Sequence, residues 1–215
     1  MTSWEKELEK IHWRKAMGQA VPPELMKWLK EACMKAQSKE NKANRTLIGH
    51  IKEEYHLNNW SKDFENWLIH NCLSQPNMAM HTDRLTVLNK SSPFYLQSLW
   101  VNFQKRYEFN PPHNHSGVYS FVIFVKIPYD AREEYDYFSE VGGLNRREDS
   151  TYTSQFAFLN IDYDGAIRCD GLEVDKSFEG KIIMFPAKQL HMVFPFYTSK
   201  GYRITVSGNI RLKAQ

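Results

Sequence analysis

The sequence predicts a mainly β protein with a helical N-terminal segment packed on the sheet. Apolar residues recur at spacings of three and four up to about residue 85, and they alternate with polar residues after it. Pro and Gly punctuate the second part at short intervals, which is typical of a sandwich or barrel of the jelly-roll type. Helices that precede all strands exclude alternating βαβ units. We therefore expect a helical segment over residues 1–85 and a β core over residues 86–215.

The first part contains four stretches with helical patterns. Thr2 and Glu5 have the spacing of a capping box, which favours a helix start at the N-terminus. Two prolines at 22–23 suit a second helix start, because proline is tolerated in a first turn. The apolar spacing predicts further helices over residues 47–55 and from about Ser61.

The second part alternates with a period of two, most clearly from Leu99 to Phe103 and from Tyr119 to Ile127. Asp164-Gly165 has the composition of a hairpin turn. Residues 128–155 are charged and aromatic, and we expect them to form a mobile excursion over one mouth of the barrel. Other strand signals occur in QFAFLNI, KIIMFP, HMVFPF and YRITVSGNIRL.

Composition bounds the class of protein. The net charge is +3, and the whole excess lies within residues 1–90. Such an excess on helices is typical of a solvated surface, so we expect no nucleic-acid partner. Three scattered cysteines suit a reducing compartment. The N-terminus has no apolar signal region, and the apolar runs are shorter than the roughly 20 residues of a membrane span. We expect a soluble cytoplasmic protein (in the host cytoplasm if a phage encodes it), with its oligomeric state open.

Two histidines in PPHNHSG are candidate metal ligands. Side chains at i and i+2 of an extended segment point the same way, and proline favours extended geometry before it. His113 and His115 can therefore present their rings to one point. The pair lies where one apolar strand ends and the next begins, at the rim of the predicted barrel. A polar turn with two surface histidines is the alternative.

A third ligand should come from another strand. His191 lies between a strand that ends at FP and the apolar run MVFPF. Two or more imidazoles at one point suit iron, zinc, copper or nickel. An ordinary half-buried histidine is the alternative interpretation of His191.

The last strand places polar residues on one face and apolar residues on the other. The helical segment must cover a sheet face, and we expect it to cover the apolar one, so the polar face points into the barrel. An inward arginine needs a partner, and an anionic ligand with a carboxylate would provide it. A solvent-facing polar side is the alternative. The residues of the polar face are Arg203, Thr205, Ser207 and Asn209.

Two segments resemble iron(II)- and 2-oxoglutarate-dependent oxygenases, and within that superfamily they are most similar to the phage and bacterial branch. The segments are Trp100–Pro128 and Gly180–Ile210. An ordered combination of HxH, FP, a distal His, PF and R-x-T carries the resemblance. It implies a double-stranded β-helix, which is a cupin-like jelly roll, and it implies Fe(II) and 2-oxoglutarate as cofactor and co-substrate.

The resemblance also implies roles for single residues. His113 takes the place of the first histidine, His115 that of the usual carboxylate and His191 that of the distal histidine, so these three are the expected catalytic and metal-binding residues. Arg203 and Thr205 take the places that bind the far carboxylate of 2-oxoglutarate. Asn209, on the same polar face, completes the residues expected at the cofactor.

The family's first motif is H-x-D or H-x-E, and this chain has His113-Asn114-His115. A different alignment makes His115 the first histidine and places Gly117 at the carboxylate position, as in halogenating members of the superfamily. Two further alternatives are a cupin-like metal-binding module without 2-oxoglutarate turnover and a three-histidine dioxygenase.

The function that the resemblance implies is hydroxylase-type oxidation of a substrate, coupled to decarboxylation of 2-oxoglutarate to succinate. A protein side chain, a nucleobase and a small metabolite all stay open as substrate. Part of a lid and of the substrate surface is expected within residues 128–155, and its aromatic and basic residues are Tyr129, Tyr135, Tyr137 and Arg146-Arg147. An ordinary solvated loop is the alternative, and residue by residue it is the better one.

Overall fold

A computed structural model of the chain describes residues 2–13, 16–78, 93–141 and 152–213. Two antiparallel sheets form its centre, so the expected jelly-roll architecture is confirmed. The larger sheet has the strand order β1-β8-β5-β10-β3-β2 and the smaller one β4-β9-β6-β7. The strands are β1 Met17–Ala20, β2 Glu54–His56, β3 Phe94–Gln104, β4 Asn110–His113, β5 Tyr119–Lys126, β6 Phe156–Ile161, β7 Ile167–Leu172, β8 Lys181–Pro186, β9 His191–Val193 and β10 Arg203–Leu212.

The helices before residue 78 begin where the sequence predicts. In α1, Ser3–Trp13, the Thr2 backbone N–H donates to Glu5 Oε2 (2.8 Å) and the Glu5 N–H donates to Thr2 Oγ1 (3.3 Å), which completes the capping box. Helix α2, Pro23–Ala36, starts with proline in its first turn. Ser61 caps α3, Lys62–Trp67, by accepting from Phe64 N. A π-helical turn over Leu68–Cys72 extends α3.

The predicted helix over residues 47–55 is wrong. The described chain has an irregular segment here that ends in β2, and Glu54 of β2 lies opposite Asn102 of β3. The Ala43 backbone N–H donates to Glu54 O, and the Phe103 N–H donates to Glu53 O (both 2.8 Å). Pairing with distant strands therefore satisfies backbone groups that a helix would have satisfied locally, and this tertiary pairing overrides the apolar spacing.

The alternation along β10 decides what each face of the larger sheet contacts. Val206 and Ile210 are fully buried and belong to the cluster that includes Leu29 of α2 and Phe64 of α3. A second cluster lies between the sheets, where Phe124, Phe185, Phe156 and Phe158 are among the buried residues. The helices thus cover the apolar face of β10, as expected, and its polar face points between the sheets.

One segment, residues 43–53, joins the edges of the two sheets, and we call it the mouth segment. It leads into β2, the edge strand of the larger sheet. The His50 backbone N–H donates to Phe109 O (2.8 Å), next to β4, which is the edge of the smaller sheet. The Lys52 N–H donates to Glu108 Oε1 (3.2 Å). The mouth segment therefore covers one opening of the jelly roll.

The excursion after β5 begins with a helix, α4 Ala131–Val141. The carboxylate of Glu134, which is fully buried, accepts from the backbone N–H groups of Tyr197 and Thr198 at 2.7–3.0 Å. The described part of the excursion is thus a helix that Glu134 anchors.

Two features of the sequence lie outside the described residues. They are Arg146-Arg147 and the predicted boundary near residue 85, so the division into residues 1–85 and 86–215 stays a prediction. Among the described helices, none has the length and apolar character to span a bilayer.

Candidate metal centre

The three histidines singled out in the sequence converge between the edges of neighbouring strands. His113 is the last residue of β4, and His191 is the first residue of β9. Because β4 and β9 pair antiparallel, His113 lies directly opposite His191. His115 follows two residues after the end of β4, where its backbone N–H donates to Ala187 O (2.8 Å).

Ring distances show a compact cluster. The centroid distances are 4.9 Å for His113–His115, 4.3 Å for His113–His191 and 5.0 Å for His115–His191. One ring nitrogen from each residue can be chosen so that all three lie within 4.8 Å of one another. No carboxylate from the described residues joins this group.

Two of the rings are oriented by backbone carbonyls. His113 Nδ1 lies 2.7 Å from Pro111 O, and His191 Nδ1 lies 2.9 Å from Gln189 O. A carbonyl oxygen only accepts, so each Nδ1 carries the proton and donates. The lone pair of each ring is then on Nε2. A metal-binding histidine usually donates the N–H of its other ring nitrogen in this way, and here that nitrogen is Nδ1.

Burial keeps the three imidazoles in their metal-binding form. Desolvation lowers the pKa of His113 below its usual value, and desolvation together with the nearby His113 lowers the pKa of His115 to about 4. The same causes hold the pKa of His191, 3% exposed, well below its usual range. Neutral imidazole is the form that coordinates a metal, so the residues present fit a borderline cation such as Fe(II) or Zn(II).

The cluster opens into a cavity of about 150 Å³ between the two sheets. Trp100 of β3 packs on His115 with ring centroids 5.5 Å apart, and Phe185 of β8 packs on His191 at 4.7 Å. Arg203 and Thr205 of β10 line the same cavity. Three imidazoles and one guanidinium thus line a single cavity.

Arg203 is 2% exposed, and neutral groups orient its guanidinium. Its Nε donates to Gln104 Oε1 (3.0 Å), and its Nη1 donates to Tyr129 Oη (2.8 Å) and to Ser154 O (2.7 Å). Within the described chain, no carboxylate pairs with it and Nη2 has no acceptor. The positive charge stays uncompensated by these partners, and an anion in the cavity would compensate it.

The other polar residues of β10 differ in position. Thr205 and Ser207 line the cavity. Asn209 does not line it, and its Nδ2 donates to Ser98 Oγ (3.2 Å). Asn209 pairs with Ser98 of β3, beyond the pair of Ser207 and Trp100 that lines the cavity. We therefore leave Asn209 out of the proposed site.

Sequence reasoning assigned Tyr129 to a lid surface, and this is wrong. The side chain is 2% exposed and its hydroxyl lies between Arg203 and Ser154. Ser154 itself adopts a positive φ of 58°. Sequence reasoning also missed Gln104, Asn102 and Glu54 on the cavity wall. The alternation of β3 provided a signal for the first two, since both share a face with Trp100.

The fold and the site together define a class of protein, a double-stranded β-helix protein with three clustered histidines that could hold a metal ion. Residues 98–209 match the family described as "Putative 2OG-Fe(II) oxygenase", where 2OG is 2-oxoglutarate. The match spans more than half of the chain, so the chain belongs to this oxygenase family. Members of the family depend on Fe(II) and 2-oxoglutarate in general. No curated protein sequence matches the chain.

A solved structure agrees with this fold, and a second has a lower TM-score. A prolyl-4-hydroxylase from Pseudomonas putida has a TM-score of 0.50 and 15% sequence identity, covering 97% of this chain and 98% of the other. An oxidoreductase of the 2OG-Fe(II) oxygenase family from Burkholderia pseudomallei has a TM-score of 0.48 and 10% identity, covering 98% and 90%. At these identities the likeness concerns the fold alone.

Proposed function

We propose that this enzyme is a non-haem Fe(II)- and 2-oxoglutarate-dependent oxygenase whose iron is held by His113, His115 and His191. Arg203 and Thr205 would hold the far carboxylate of 2-oxoglutarate. One observation carries this proposal, namely that the three imidazoles and the guanidinium line a single cavity. When bound, iron and 2-oxoglutarate supply the oxidation chemistry, in which O₂ is consumed and succinate and CO₂ are released.

The chain's own residues supply position and a dry environment. Pro111 O and Gln189 O hold two of the imidazoles in place through their Nδ1–H groups, so little motion is needed when metal binds. Trp100 and Phe185 pack against the histidine rings and limit the access of water. A water-poor site strengthens electrostatic contacts to a bound anion.

The guanidinium of Arg203 is oriented before any ligand binds. Gln104, Tyr129 and Ser154 occupy Nε and Nη1, which leaves Nη2 for the cavity. The Thr205 hydroxyl makes no hydrogen bond to a described residue and lines the same space. These two groups suit a carboxylate, which accepts hydrogen bonds from a cation and from a hydroxyl together.

The set of three histidines favours one alternative, a three-histidine dioxygenase that uses no 2-oxoglutarate. A cupin-like metal-binding module without turnover explains the same ligand set. The module without turnover gives Arg203 no anionic partner. The alignment that begins at His115 leaves His113 without a role, and the position of His113 inside the cluster speaks against it.

Calorimetry with 2-oxoglutarate on metal-loaded protein tests the proposal. We expect binding to wild type and a loss of at least about tenfold in affinity for Arg203→Ala, because a charged hydrogen bond is removed. Arg168→Ala is the matched control, since that arginine is 68% exposed and pairs with Asp162 on the outer surface. Absence of 2-oxoglutarate binding to the wild type would favour the alternatives. Succinate release under air then tests turnover.

A further inference from the structure

The cavity has a second polar region, on the side of β2 and the mouth segment. Glu54 of β2 is 1% exposed and lines the cavity. Its Oε2 accepts a long hydrogen bond from Asn44 Nδ2 (3.3 Å), and no described residue donates to its Oε1. Within the described chain no lysine or arginine pairs with it. A carboxylate this buried is rarely left without a cation or several donors.

Three amide oxygens in the same region also lack donors. The Oδ1 atoms of Asn44, Asn102 and Asn110 are buried, and none accepts a hydrogen bond. Asn44 is oriented by its own Nδ2, which donates to Ile51 O (2.6 Å). Buried polar atoms in folded proteins nearly always have a partner, so a group of unpaired acceptors indicates a missing donor.

Gly49 of the mouth segment shows that the Glu54 carboxylate and the Asn110 amide oxygen border one small space. An ideal Cβ at this glycine would overlap Asn110 Oδ1 and would lie 2.7 Å from Glu54 Oε1. Asn102 lies opposite Glu54 on one side and opposite Thr205 on the other. The region is therefore continuous with the wall on which Arg203 and Thr205 lie, and a side chain at position 49 would fill it.

We propose that Glu54, Asn102 and Asn110 form a subsite for a primary ammonium group. An ammonium has three N–H donors and no acceptor, which complements a carboxylate and the unpaired amide oxygens. A calcium ion would need six to eight oxygen ligands, more than these side chains offer. Burial, together with the nearby Glu108, raises the pKa of Glu54 to about 7, and this agrees with a carboxylate that lacks its cation. The binding of an ammonium group at this subsite does not depend on the proposed function. We further infer that the ammonium is part of the substrate that is oxidised, and this step rests on the proposed function.

Ligand-observed NMR on zinc-loaded protein tests the subsite with three blocked amino acids. The probes are Nα-acetyl-lysine N-methylamide, the norleucine analogue, which replaces the ammonium with a methyl group, and the arginine analogue. We expect the lysine probe to bind at least about tenfold more tightly than the norleucine probe. Glu54→Gln should abolish this preference. The matched control is Glu53→Gln, because Glu53 is the adjacent residue and contacts Lys105 and Tyr202 instead.

Equal binding of the lysine and norleucine probes, or no binding of either, would overturn the proposal. So would a lysine preference that survives in Glu54→Gln, or an arginine probe that binds more tightly than lysine. Zinc content and the far-ultraviolet circular dichroism spectrum of Glu54→Gln report whether the variant is folded. A failure of the oxygenase proposal would appear in the Arg203 calorimetry and would leave the comparison of amine probes unchanged.

Discussion

The Nε2 atoms of His115 and His191 lie 3.2 Å apart, although 76 residues separate the two histidines in sequence. Two imidazole nitrogens about 2.1 Å from one metal, at a right angle, are about 3 Å apart. The observed spacing therefore suits adjacent positions on one face of a metal ion. Without metal, the same spacing suits a hydrogen bond from His115 Nε2–H to the lone pair of His191 Nε2.

Replacement of His191 should remove the metal and leave the fold intact. We expect His191→Ala to bind Fe(II) or Zn(II) at least about a hundredfold more weakly, because losing a ligand costs more than the roughly 10- to 100-fold of losing an outer partner. Metal content after dialysis measures this, and far-ultraviolet circular dichroism measures the fold. His70→Ala is the control, because His70 is exposed and far from the cluster in sequence. Wild-type metal content in His191→Ala would show that the ligand set is wrong.

Introducing a carboxylate at position 115 tests the place given to His115. We expect His115→Asp to retain or tighten Fe(II) binding, because the carboxylate adds a negative charge to a centre with three neutral ligands. His115→Ala should bind iron more weakly than either. Isothermal titration under anaerobic conditions compares the three proteins. Complete loss of iron binding in His115→Asp would contradict the assignment.

Removal of the Tyr129 hydroxyl should make the Arg203 guanidinium less well oriented and should leave metal binding unchanged. In Tyr129→Phe, Arg203 Nη1 loses one of two acceptors and Ser154 O loses one of two donors. We expect a stability loss of roughly 1–2 kcal/mol and a 2-oxoglutarate affinity roughly three- to tenfold lower. Chemical denaturation and calorimetry measure these effects. Tyr163→Phe, with a side chain 98% exposed, should change neither. An unchanged 2-oxoglutarate affinity in Tyr129→Phe would argue against a positioning role.

Glu54 should make the metal-free protein less stable as pH rises. The pKa of its carboxyl is raised from 4.5 to about 7, so the folded state binds more protons than the unfolded state between these values. The stability contributed by this group is therefore lost over that window, by roughly 1–3 kcal/mol. The difference in unfolding free energy between wild type and Glu54→Gln, followed from pH 4.5 to 7, isolates this contribution from the histidines.

The neighbouring Glu53 provides a control of opposite sign. A hydrogen bond from Tyr202 lowers the pKa of Glu53, so its contribution is present above the ordinary pKa of a glutamate and is lost as pH falls. Between pH 4.5 and 7 the difference curve of Glu53→Gln should thus stay flat, and it should slope the other way only below pH 4.5. A flat curve for Glu54→Gln would show that its carboxyl is not held protonated in the folded protein.

The sequence alone determined the helix start at Thr2 and the two faces of β10, because local contacts decide both. The capping box of Thr2 and Glu5 and the alternation of β10 could be predicted, because each depends on contacts within a few residues or on the two faces of one strand. The spacing of His113 and His115 indicated a shared direction for the same reason. His191 was added through its position after FP and through the resemblance.

Only the tertiary structure decided which distant groups share the cavity. It replaced the predicted helix over residues 47–55 with a segment that pairs with distant strands and brings Glu54 and Gly49 to the wall. It also turned Tyr129 inward to Arg203 and placed Asn209 against Ser98, off the cavity wall. Strand order, register and burial arise from contacts between residues far apart in the chain, so no local pattern of residues determines them.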